Sequence, residues 1–285
     1  MSTNTDVLNR YLFDNTHARG ELVQLDKSFK EIITNHDYPA AVTDLLGQLM
    51  AATCLLTATL KFEGEISVQI QGNGPVKYAV INGDNLQQMR GIASIEGEIK
   101  GTSLQDLMGK ANMVITIIPK QGERYQGVVA VEGETLAECL EHYFATSEQL
   151  ATKIWLFADT TTIQAAGCLL QVVPDSEDKE QQMSDFEHIS QLTATIKPDE
   201  LFNLDANEVL YRLYNQEQVR LFEPQVVSFV CGCSEDKCLA AIANMGKEAI
   251  IEHLNEHQQI NITCDFCKTN YHFDQEKLNP LLNPN

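Results

Sequence analysis

Cys231-Gly232-Cys233 and Cys264-Asp265-Phe266-Cys267 are the residues of this chain whose types and spacing could do chemistry. Thiolates are soft metal ligands and nucleophiles, and two tight pairs can close a tetrahedral zinc site at about 2.3 Å per Zn–S bond. The spacing of the second pair suits a knuckle, a turn that points both sulfurs at one ion. The first pair is less usual. On an extended strand, residues at i and i+2 hold their Cα atoms near or beyond the roughly 6.8 Å limit for an easy disulfide. Gly232 would let the backbone bend, and a disulfide closed there would be strained, oxidising and readily reduced again. His253 and His257 could replace one pair in a mixed site with Cys264 and Cys267. Four thiols already satisfy a tetrahedral ion, so the expected ligands are Cys231, Cys233, Cys264 and Cys267, holding one zinc per chain.

The elements around these thiols are short. Ser234 is a good N-cap, and Cys238, Leu239, Ile242 and Met245 then recur on one helical face until Gly246 supplies a stop, which makes Cys238 a packing residue. A second helix is expected over Lys247 to Glu256, with strands over Gln259 to Thr263 and Lys268 to Phe273 on either side of the knuckle. A stretch this small, with few large apolar side chains, needs a staple, and metal loss should unfold it.

Upstream, Ala40 to Lys61 is apolar almost all round a helix, which predicts burial in an interior. The period then changes to two. Strands are expected over Glu65 to Ile70 and Val76 to Ile81, punctuated by Gly72-Asn73-Gly74-Pro75 and Asn82-Gly83, and at Met113 to Ile118, Gly127 to Val131, Ile154 to Ala158 and Ala165 to Val173. Leu136, Leu140, Tyr143 and Phe144 share one face of an intervening helix. Cys54, Cys139 and Cys168 read as buried, inert thiols. Pro174 ends this pattern, and an acidic stretch follows with Asp175, Glu177, Asp178, Glu180, Asp185 and Glu187. Short amphipathic turns then carry Phe186, Ile189 and Leu192, open at Pro198 and continue through Glu208 to Tyr214. Such helices are marginal alone and depend on neighbours.

The fold class expected is α+β: a large N-terminal domain of antiparallel sheets packed on helices (1–174), a metastable helical linker (175–224) and a small C-terminal four-cysteine zinc domain (225–285). With 285 residues, 44% of them hydrophobic, the chain can bury such a core. Met1 to Arg10 has no basic n-region leading into an apolar stretch, and no run reads as a membrane span, so a cytoplasmic location is expected. Cysteines in such a chain are read as reduced thiols or ligands. The formal charge is −20, with 20 basic against 40 acidic residues; four zinc-bound thiolates would add about −2. That field repels nucleic-acid phosphates and anionic membranes.

Cys231-Gly232-Cys233-Ser234, Cys264-Asp265-Phe266-Cys267 leading into Tyr271-His272-Phe273-Asp274, and Phe222-Glu223-Pro224-Gln225 together resemble the redox-regulated heat shock protein 33 family, the 33 kDa chaperonins. Tyr143-Phe144 with Ser147-Glu148-Gln149, and Gly167 to Pro174, also look like family segments, so the resemblance spans nearly the whole chain. It implies a bacterial holdase that works without ATP, zinc-bound and inactive when reduced. Oxidation would release zinc, close disulfides Cys231 to Cys233 and Cys264 to Cys267, melt the linker and expose surface for unfolded or oxidatively damaged client proteins, with a homodimer as the active oxidised form. No GxxxxGK[ST] loop is present, in agreement with independence from ATP.

Two other classes fit part of the pattern. A thiol-disulfide oxidoreductase could use Cys264 and Cys267, yet it has no need of the Cys231 pair. A zinc-ribbon nucleic-acid binder would carry a basic C-terminal face, whereas Glu235, Asp236, Glu248, Glu252, Glu256, Asp265, Asp274 and Glu276 make this one acidic. The reading is therefore a chaperone and not an enzyme.

Overall fold

In the computed structural model, which describes residues 5–59, 63–174 and 178–282, the chain divides into two compact units, Met1–Phe229 and Val230–Asn285. The first unit begins with the hairpin β1 (Val7–Phe13) and β2 (Ala18–Leu25), followed by helices α1 (Lys27–Ile33) and α2 (Ala40–Thr59). A meander β3 (Gly64–Gly72), β4 (Val76–Asp84) and β5 (Gln88–Ile95) leads through α3 (Leu104–Met108) to β6 (Ala111–Pro119) and β7 (Tyr125–Ala130). Helix α4 (Leu136–Tyr143) runs into a π-helical turn, Phe144–Glu148, and β8 (Thr152–Asp159) and β9 (Gln164–Val172) complete the larger strands. Helices α5 (Lys179–Thr193), α6 (Pro198–Asn203) and α7 (Ala206–Tyr214) come next, then the short strands β10 (Val219–Leu221), β11 (Gln225–Val226) and β12 (Ser228–Phe229).

Two mixed-length sheets result. The first has the order β10-β1-β2-β9-β8, with β11 also on β1; the second runs β12-β5-β4-β3-β6-β7. All pairings are antiparallel except the parallel contact of β12 with β5. Helix α2 packs on strands of both sheets, and the main core joins its Leu46, Leu49, Met50 and Leu55 to Val23 and Leu169 of the first sheet and Ile66, Val68 and Ile81 of the second. This is why α2 has no polar face. By length and a mean hydropathy of 1.4 it passes the test for a membrane span, which amends the expectation that no run does, but 78% of that window is buried inside the fold. The expected last residues of this helix, Leu60 and Lys61, lie outside the described residues.

The first sheet is buried on both faces. Its other face, formed by Tyr11, Phe13, Leu22, Ala166, Cys168, Leu170 and Val172, is covered by Phe186 and Ile189 of α5, Leu201 of α6, and Val209, Leu210, Leu213 and Tyr214 of α7. Strand β9 accordingly reads as a near-continuous apolar run instead of an alternating one. Each large aliphatic or aromatic side chain so covered contributes about 1.5–3 kcal/mol. Caps hold the covering helices in place: Asp178 accepts from Gln181 N at 3.0 Å, Asp205 accepts from Glu208 N at 3.0 Å, and Pro198 opens α6 as its position predicts. Asp175 and Glu177, named in the acidic stretch, lie outside the described residues.

One turn falls later than its sequence signal. Asn82-Gly83 does not end the strand; β4 continues to Asp84, whose carboxylate accepts from Leu86 N at 2.9 Å and Gln88 N at 3.0 Å. Gly83 lies inside the strand with the thioether end of Met89 packed against it, and a Cβ there would displace that side chain.

Candidate metal centre

The second unit is built from α8 (Glu235–Ala243), α9 (Lys247–His257), the hairpin β13 (Gln259–Thr263) and β14 (Asn270–Asp274), and α10 (Gln275–Leu282). Its core is small: Cys238, Ile242, Ile250, Ile260, Phe273, Leu278 and Leu282. Ser234 caps α8 by accepting from Lys237 N at 3.2 Å, as its type predicts. Met245 does not join the helical face assigned to it. The helix ends at Ala243, and Met245 is 51% exposed. Gly246, at φ +87°, precedes α9 in a conformation that favours glycine.

Cys264 and Cys267 sit in the turn joining β13 to β14. Cys264 N donates to Thr269 O at 2.9 Å, Lys268 N donates to Cys264 O at 2.8 Å, and Lys268 takes the left-handed conformation at φ +57°. These bonds fold the knuckle so that both sulfurs face one side. Opposite them, Cys231 and Cys233 lie in irregular backbone, not on a strand, and Gly232 bends the chain at φ +68°. The Lys237 ammonium donates to the Gly232 carbonyl and ties the bend to the first turn of α8.

The four sulfurs converge. Cys231 Sγ lies 3.4 Å from Cys264 Sγ, Cys233 Sγ lies 3.5 Å from Cys267 Sγ, and all four fall within 4.8 Å of one another. Four sulfurs about 2.3 Å from a tetrahedral ion stand about 3.8 Å apart, so the donor set fits a soft divalent metal with little rearrangement. Cys238 is absent from the group and packs in the core, as expected. Neither His253 nor His257 belongs to it, so the mixed site weighed from the sequence does not form among the described residues.

The surroundings polarise the thiols unequally. Burial pushes the Cys231 thiol well up from its ordinary value. At Cys233 the strongest influence is the Tyr271 hydroxyl, which donates to Sγ at 3.1 Å and favours the thiolate; burial and the neighbouring thiols outweigh it, and the net shift is upward. Cys267 moves the other way, down to about 6: burial opposes the charge, but the Thr269 hydroxyl at 3.2 Å, its backbone N–H and the adjacent thiols together overcome it. Tyr271 is the participant that sequence reasoning missed. Its signal was present, because a tyrosine on the strand leaving a knuckle alternates back toward the ligands.

Cys54, Cys139 and Cys168 are not members of the four-thiol group. All three are buried, and desolvation raises each thiol, Cys168 to about 12. They are packing groups, as expected.

An α+β chain whose C-terminal unit gathers four cysteines about a centre that could hold a metal ion belongs with proteins built around a four-thiol cluster, and known proteins identify the branch. The family profile described as Hsp33 protein matches residues 6–274. The 33 kDa chaperonin of Colwellia psychrerythraea is 58% identical over 281 residues, 97% of each chain. That of Pseudoalteromonas translucida is 52% identical over 280 residues, 98% of this chain and 99% of the relative. The crystal structure of the 33 kDa chaperonin from Thermotoga maritima superposes with a TM-score of 0.83 at 20% identity, covering 97% of this chain and 98% of that one, a likeness of fold. The chain belongs to the Hsp33 family.

Proposed function

We propose that this chain is a redox-gated holdase chaperone that works without ATP, a binding protein and not an enzyme. The observation that carries the proposal is the convergence of Cys231, Cys233, Cys264 and Cys267 within 4.8 Å of one another in a unit with a minimal core. These four residues would hold one zinc ion in the reduced form. Zinc, when bound, keeps the thiols as thiolates at neutral pH and staples the unit.

Oxidation acts on the thiol pairs. In each pair one thiolate attacks a peroxide oxygen and breaks the O–O bond, leaving a sulfenic acid. The second thiolate then displaces that oxygen as water and closes the disulfide. Per pair, two thiols lose two electrons and two protons, and one peroxide becomes two waters. The pairing is Cys231 with Cys233 and Cys264 with Cys267. Disulfide closure withdraws the metal's ligands, and the C-terminal domain, 225–285, loses its staple.

The linker, 175–224, is the responding element, between a core domain at 1–174 and the sensor. Phe186, Ile189, Leu201, Leu210 and Leu213 are buried against the first sheet on short helices rich in charge. Undocking would bare apolar side chains flanked by charge, a surface able to hold unfolded or oxidatively damaged clients without precipitating. The active oxidised form is a homodimer, and the protein works in the cytoplasm. A formal charge of −20 opposes binding to nucleic acid or anionic membranes.

The test measures zinc content, free thiols and suppression of aggregation of a thermally unfolding client, before and after peroxide with mild warming. Activity should appear as thiols and zinc are lost, and a reductant should restore the thiols. Equal suppression by the reduced, zinc-loaded protein would overturn the gating.

A further inference from the structure

His253 and His257 stand one turn apart on α9 with ring centres 4.6 Å apart and ring planes inclined at 57°. They belong neither to the thiol cluster nor to the small core of their unit. His253 is half-buried and the His257 side chain is 59% exposed, so water and ions reach the pair. Glu256 Oε2 lies 3.6 Å from His257 Nε2 and places a negative charge beside it.

We propose that His253 and His257 form a bidentate site for a divalent cation of the copper(II) or nickel(II) class, separate from the four thiols. The argument is geometric. Two imidazoles bound cis at a right angle, each nitrogen about 2.0–2.1 Å from the metal, hold their ring centres about 4.5 Å apart; the tetrahedral angle spreads them to about 5.2 Å. The separation of 4.6 Å is the ring-centre spacing that a right-angled, tetragonal ion asks for, and rotation of each ring about its Cβ–Cγ bond can turn one nitrogen of each toward a common ion. Water fills the remaining positions, and the Glu256 carboxylate offsets the cation's charge. The acidic field of the chain concentrates cations near its surface. Such a metal would clip the last turn of α9, where Gln258 leaves the helix in a left-handed conformation.

Nickel(II) is the probe, because it does not oxidise thiols. The reduced full-length protein, carrying one zinc, is dialysed to equilibrium against nickel, and both metals are counted. One nickel per chain should bind with zinc content unchanged, and the ring proton signals of His253 and His257 should broaden. His253→Asn and His257→Asn should each weaken nickel binding at least tenfold while retaining zinc, since both rings lie outside the core. Unchanged nickel affinity in both variants, or nickel uptake only as zinc is displaced, would overturn the site. Neither result depends on chaperone activity.

Discussion

The phenolic oxygen of Tyr214 lies 2.6 Å from the Thr193 hydroxyl, at a buried point where α7 meets α5. From Tyr214 the polar chain continues 3.5 Å to Tyr11 Oη and a further 3.1 Å to Cys168 Sγ, so it passes from the covering helices into the first sheet. Apolar packing alone would let those helices slide on the sheet. A buried polar chain admits one register, because any other leaves hydroxyls unpartnered at about 1–3 kcal/mol each.

Tyr214→Phe removes the central link of that chain. Thr193 keeps its bond to Ile189 O at 2.8 Å and Tyr11 keeps Cys168, so the loss should be modest, about 1 kcal/mol. That corresponds to roughly fivefold more frequent undocking. Amide exchange across residues 179–214 of the reduced protein should speed up by that factor, and holdase activity without oxidant should rise. Unchanged exchange would show that Tyr214 is held by its ring alone.

If the four thiols hold zinc as proposed, serine at any one of Cys231, Cys233, Cys264 or Cys267 should abolish zinc retention and, with it, the folded C-terminal unit. Cys238→Ser should keep the metal and destabilise the unit by about 1–3 kcal/mol, since it puts a hydroxyl into an apolar core. Zinc counting and far-ultraviolet circular dichroism separate the two outcomes. Metal loss in Cys238→Ser with retention in Cys233→Ser would reverse the assignment.

Tyr271→Phe deletes the donor to Cys233 while leaving the ring on β14. Outer-shell hydrogen bonds of this kind typically change metal affinity by 10–100-fold. Competition with a chelator should register a loss of that size, with β13 and β14 still formed. Affinity equal to that of the wild type would mean that the hydroxyl only fills space.

The thiols, the cap at Ser234, the helix start at Pro198 and the all-apolar α2 were legible because each is a local signal: spacing, side-chain type or periodicity. The N-terminal hairpin was not. Asn9 and Glu21 are 4% and 2% exposed, polar residues buried among apolar neighbours, so no clean alternation of apolar and polar residues marks their strands. Strands β10, β11 and β12 are two or three residues long and owe their existence to edges of distant strands, a pairing that no short window contains. The turn expected at Asn82-Gly83 falls later for a related reason, because a glycine packed inside a strand against a methionine side chain looks the same in sequence as one that makes a turn. Tyr214 likewise reads as a helical aromatic until its hydroxyl partners come into place through the fold.

Glu21 gives the first unit a pH dependence of its own. Its carboxyl is raised from 4.5 to about 7, chiefly by burial, against the weaker pull of Arg19 and Arg10, and one of its oxygens has no hydrogen-bond partner. Because the folded state binds this proton more tightly than the unfolded state, the proton stabilises the fold. That stabilisation is complete below the unfolded value and is lost as pH rises through about 7. The stability at issue is on the order of 3 kcal/mol. Glu21→Gln removes this titration, so its stability should fall less steeply than that of the wild type between pH 4.5 and about pH 7 (a difference of about 1.4 kcal/mol per pH interval at most). Urea unfolding followed by the fluorescence of Trp155, the only tryptophan and a residue of the first sheet, reads this unit directly. The variant should be the more stable protein at pH 8 and lose that advantage at pH 5. Parallel curves for the two proteins across this range would mean that Glu21 is ionised and solvated in the folded state.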